Sequence, residues 1–109
     1  MDRYELFKDT LNHCGMYLLD LPDEEIGYHL FEEFDGDCIS FLNEDLLDQL
    51  LKSGKITQEI VYMSLELSRK LRALENTNVW NIQSVRNSEK WLEILKLSDL
   101  IKAKLHSEH

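Results

Sequence analysis

At 109 residues, 43% apolar and 30% charged, the chain has room for one domain and the composition of a folded rather than a disordered one. One proline and four glycines leave few helix breakers, and no apolar run approaches the roughly 20 residues that span a bilayer. The formal charge of −9 is concentrated between residues 9 and 51, which works against binding nucleic acid or anionic lipid through that half of the chain.

The N-terminus is amphipathic and lacks the basic-then-apolar order of a secretory signal. Cys14 and Cys38 stand outside any metal or redox spacing, so they read as free thiols of a cytoplasmic protein.

In chain order, Tyr4, Phe7 and Leu11 form a helical stripe between about Asp2 and Cys14, with Gly15 as the stop. Pro22 followed by Asp23, Glu24 and Glu25 suits a helix start, because acids favour the positive end of the helix dipole. The second helix is expected to end at Phe34, with Asp35-Gly36-Asp37 as a turn and Cys38 to Leu42 as an apolar approach to the next helix. Asn43 caps Glu44 to Lys52, and Ser53-Gly54 ends it. Thr57 caps a long fourth helix with Ile60, Ser64, Leu67, Leu71 and Leu74 on one face, broken at Asn76-Thr77-Asn78. A short helical turn is expected from Val79 to Val85, and Ser88 caps a last helix striped by Trp91, Ile94, Leu95, Ser98, Ile101 and Leu105. The expected fold is therefore all-α, one domain over residues 1–109, a bundle of about four to six helices with short loops.

Charge is distributed unevenly along this chain. From Asp9 to Leu51 there are twelve carboxylates and no Lys or Arg, whereas residues 52–109 carry ten cations against seven acids. A solvated face explains many acidic runs, but exposed helices ordinarily mix both signs. The one-sided run fits a basic partner whose approach its field would accelerate.

Chemical motifs are scarce. There is no HExxH, CxxC or phosphate-binding glycine loop. Asp35-Gly36-Asp37 resembles the start of a calcium loop, but Ile39 and Leu46 fall where ligands are required. His13 and His29 read as isolated helix residues, and His106 and His109 as a frayed tail. Cys38 beside an acid is a poor nucleophile. No enzyme, cofactor or metal is expected. Trp91 reads as a core anchor, and Trp80 is divided between core and surface.

The segments Phe34 to Leu42, Leu46 to Ile56, Trp80 to Val85 and Trp91 to Lys102 together resemble small helical immunity proteins of bacterial contact-dependent growth inhibition and related polymorphic toxin systems. The resemblance runs from residue 34 onward and rests on phrase order, without a sharp motif. It implies an immunity protein that neutralises a cognate, basic nuclease toxin by protein–protein contact. The partner-binding residues expected on this reading are Asp20, Asp23, Glu24, Glu25, Tyr28, Glu32, Glu33, Asp35, Asp37, Glu44, Asp45, Asp48 and Trp80, with Tyr17 as a further anchor. An acidic regulatory adaptor or nucleic-acid mimic without enzymatic activity would carry the same charge and face a different target.

Overall fold

In the computed structural model, which describes residues 2–107, every regular element is helical. Helix α1 (Arg3–Asn12) starts at Asp2, whose carboxylate accepts the Glu5 N–H at 2.8 Å. It ends at His13, and the turn that follows is clamped by the last helix of the chain. Ser98 Oγ donates to the Cys14 carbonyl at 2.8 Å, Lys102 Nζ donates to the same oxygen at 2.7 Å, and the Met16 N–H reaches Asp99 at 3.0 Å. Gly15 is required by this close approach, since a Cβ there would collide with Asp99 and Lys102.

A 3₁₀ turn (Met16–Asp20) leads to Pro22. Helix α2 (Asp23–Gly27), a π-helical stretch (Tyr28–Phe34) and helix α3 (Asp35–Phe41) then follow without interruption. The Asp35 N–H bonds the Leu30 carbonyl, five residues back, which is the widened ladder of a π turn. This corrects the expected turn at Asp35-Gly36-Asp37 and the expected non-helical approach at Cys38 to Leu42. Cys38 and Leu42 are buried along with Phe34, and their packing outweighs the modest helix penalty of an exposed Gly36.

Helix α4 (Glu44–Lys52) is capped by Asn43, which accepts the Leu46 N–H at 2.9 Å. Gly54, at φ +78°, closes it in a Schellman motif: Gly54 N–H bonds Leu51 O and Lys55 N–H bonds Leu50 O. Thr57 caps helix α5 (Gln58–Leu74), accepting the Ile60 N–H at 3.3 Å, and Asn76 breaks the chain in a left-handed conformation. The short helix lies later than the sequence suggests. Asn81 accepts the Ser84 N–H at 2.8 Å and starts helix α6 (Ile82–Asn87), while Val79 is held in the loop by the Trp91 indole, which donates to its carbonyl at 2.6 Å. Ser88 accepts the Lys90 N–H at the head of helix α7 (Glu89–Ser107).

Helices α5 and α7 pack side by side, and the acidic rod formed by residues 23–41 lies against α1, α5 and α6. The buried side chains make one contiguous core. Phe7, Leu11, Ile26, Leu30, Phe34, Leu46, Leu50, Ile60, Leu67, Leu71, Trp91, Ile94 and Ile101 are all in it, as their helical spacing predicts.

Candidate protein-binding face

Burying one stripe of the 23–41 rod leaves the opposite stripe in water. Glu24, Glu25, Tyr28, Glu32, Gly36 and Ile39 are exposed there, Tyr28 by 47% and Ile39 by 64%. Two contacts from the second half of the chain fix this rod. Arg86 bonds Asp23 at 3.0 Å and the carbonyls of Leu19 and Leu21 at 3.0 and 2.7 Å, gathering the end of the 3₁₀ turn onto the start of α2. Arg72 bonds both the carboxylate and the carbonyl of Asp35 at 3.1 Å and pairs with Glu75, at the junction of the π stretch and α3.

These clamps change the standing of several acids in the run. Asp23 and Asp35 are held by arginines from residues 52–107, and Asp48 by Lys52 at 2.9 Å. Asp20, Glu24, Glu25, Glu32, Glu44 and Asp45 are exposed without a Lys or Arg partner among the described residues. Glu44 and Asp45 sit on the first turn of α4, on a separate element from the rod.

Glu33 and Asp37 point elsewhere, into a half-buried corner shared with His13. The Asp37 carboxyl is pushed above its ordinary value by partial burial and then by the neighbouring Glu33 and Asp9, with His13 opposing. Glu33 in turn raises the Tyr28 phenol, chiefly through its charge.

The sequence reading missed the pairing of the two histidines. His13, at the end of α1, and His29, on the π stretch, are not isolated: their Nδ1 atoms lie 2.9 Å apart and their rings 5.1 Å apart. Tyr28 stands edge-on to His29 at 5.3 Å, and Tyr17 stands edge-on to it at 6.0 Å. Tyr17, 40% exposed, donates its hydroxyl to the Asn12 carbonyl and has its phenol pushed up by burial and by the nearby Cys14 and Asp99. Tyr17, His29, His13 and Tyr28 thus form one aromatic row, bordered by Asp9, Glu32, Glu33 and Asp37. A sixteen-residue separation across a turn gives no local signal for such a pairing, which only the packing of α1 on the rod creates.

Trp80 is half-buried, its ring packed at a tilt 5.1 Å from Phe31 and 5.4 Å from Trp91. Of its two expected roles, packing therefore takes most of the ring. Cys14 and Cys38 are both free and buried; burial pushes the Cys14 thiol up to about 12 and drives Cys38 upward as well. Neither is set up as a nucleophile.

No helix among the described residues is long and apolar enough to cross a membrane. No family model, no curated protein and no solved structure matches the chain.

Proposed function

We propose that this chain is an immunity protein that binds and neutralises a basic toxin domain of the nuclease class. The observation that carries the reading is the row of exposed Tyr17 and Tyr28 with half-buried His13 and His29, set among carboxylates that lack a Lys or Arg partner among the described residues. Tyrosines offer large, rigid contact area with a polar tip and serve well as interface anchors. Unpaired acids around them give a field that steers a cationic surface inward and rejects an anionic one. Fixing the rod at Asp23 and Asp35 presents Tyr28, Glu24, Glu25 and Glu32 on a preorganised helix, which lowers the ordering cost of association.

The test looks for a basic nuclease domain encoded next to this chain, produces it separately and titrates it with wild-type protein and with Tyr17→Ala, Tyr28→Ala and the triple variant Glu24→Lys, Glu25→Lys, Glu32→Lys. The expected result is inhibition of the toxin by wild type, weakened at least tenfold by the triple variant. Inhibition unchanged by all three variants would overturn the assignment of the face. The absence of any neighbouring toxin, with capture of a non-toxin basic partner through the same residues, would favour an acidic regulatory adaptor.

A further inference from the structure

The same corner supports a reading that does not depend on a protein partner. The rod and the end of α1 bring a nitrogen donor and two carboxylates together: one ligand atom each from His13, Glu33 and Asp37 lies within 4.8 Å of the others, all on half-buried side chains. Metal bonds of about 2.0–2.2 Å to nitrogen and oxygen place tetrahedral ligand atoms roughly 3.3 Å apart, so side-chain movements that shorten the separations by up to about 1.5 Å close the set. With His13 Nε2 as the ligand atom, its Nδ1 keeps the 2.9 Å contact with His29 Nδ1. A partner on the second ring nitrogen is how metal-binding histidines are oriented.

The π stretch accounts for the alignment. His29, Glu33 and Asp37 are spaced by four, and in an α-helix four residues overshoot the 3.6-residue turn by about 40° each time. The wider π turn between His29 and Glu33 falls short instead, which offsets the overshoot between Glu33 and Asp37. All three residues therefore stay near the line where α1 delivers His13.

Charge points the same way. Glu33 and Asp37 have no Lys or Arg ion pair among the described residues, and Asp9 adds a third carboxylate nearby. A dication would offset that crowding.

We propose that His13, Glu33 and Asp37 bind one divalent transition-metal ion of the zinc class, with His29 as the positioning residue on His13. The imidazole donor favours zinc or cobalt over calcium or magnesium, which take oxygen ligands.

The experiment titrates the chelator-treated full chain, without any partner, with Zn²⁺ by calorimetry and with Co²⁺ by visible absorption. One equivalent is expected. Glu33→Gln and Asp37→Asn should each weaken it by more than about tenfold, and His29→Ala by about tenfold. The controls Glu24→Gln/Glu25→Gln and His106→Gln/His109→Gln should leave it unchanged, and Ca²⁺ and Mg²⁺ should give no comparable signal. Glu33→Gln and Asp37→Asn change half-buried side chains, and circular dichroism checks that each variant keeps the fold. Binding that survives both carboxamide variants, follows the tail histidines, or is matched by Ca²⁺ would overturn the proposal. None of these ligands is among the three glutamates reversed in the partner test, so the two readings fail independently.

Discussion

Residues 9–51 carry twelve acids and no cation of their own, whereas residues 52–107 pair most of theirs with cations from the same region. In the second region Glu66 pairs with Arg69 and Lys70, Glu75 with Arg72, and Asp99 with Lys102, each within one helical turn. Glu59 and Glu93 reach Lys104 and Lys70 across the α5–α7 contact. The acidic region receives two arginines from its neighbour, Arg72 and Arg86, and both go to backbone and carboxylate groups that fix the rod rather than to its outer face. The shared apolar core holds both regions. The difference teaches that the field of the acidic face is not needed for folding: charge pairing that fixes the structure and charge left unpaired lie on different side chains.

The comparison breaks most readily in the core. Trp91→Ala removes the largest fully buried side chain and the donor that holds Val79, and should cost about 3–5 kcal/mol of stability by urea denaturation. A loss confined to the 76–81 loop would show that the two regions do not share one core. Next in size are the clamps. Arg72→Met leaves Asp35 and Glu75 side by side without their cation and should cost about 1–2 kcal/mol, whereas Arg69→Met, exposed on α5, should leave the unfolding midpoint close to wild type. Equal effects would place the rod's anchorage elsewhere.

The buried thiols give a kinetic check. Cys14 and Cys38, one from α1's end and one from α3, should resist a thiol reagent at neutral pH and react only when the protein unfolds in denaturant.

The smallest effect is a pH dependence. The Glu75 carboxyl is raised, first by its hydrogen bond with Asp35 and then by desolvation, with Arg72 opposing. The folded state thus holds that proton more tightly than the unfolded state. Its stabilising contribution is full below the ordinary glutamate value of 4.5 and is lost as pH rises through the raised folded value. Wild type should gain stability relative to Glu75→Gln when denaturation is repeated at pH 5 instead of pH 7. A relative loss on acidification would reverse the sign and contradict the shared proton.

Much of this architecture was legible beforehand because local rules and packing agreed. Asn43, Thr57 and Ser88 cap helices as their side-chain chemistry predicts, and the apolar stripes name the core. The errors fall where the two disagree. Gly36 between two aspartates has turn chemistry, yet Phe34, Cys38 and Leu42 need a continuous helix to reach the core. At Val79 the apolar pattern suggests helix, yet the indole of Trp91, twelve residues later, fixes a loop. The acidic run was visible in the sequence, but its division into clamped, exposed and corner-facing acids was not. That division depends on Arg72, Arg86 and His13 arriving from distant parts of the chain.

The central claim is that the unpaired acids of the rod and the tyrosines beside them form a face for a basic toxin. It is tested most directly by stopped-flow association with the basic toxin domain that the proposal requires, at low and at physiological salt. At the higher salt, screening shortens to about 8 Å. The account predicts an on-rate that falls steeply with salt for wild type and for a Glu66→Lys, Glu89→Lys, Glu93→Lys control. It predicts a slow, nearly salt-independent on-rate for Glu24→Lys, Glu25→Lys, Glu32→Lys, and a faster off-rate for Tyr28→Ala. Equal effects from the two charge-reversed sets, or a wild-type on-rate indifferent to salt, would contradict it and leave the acidic stretch a solvated surface.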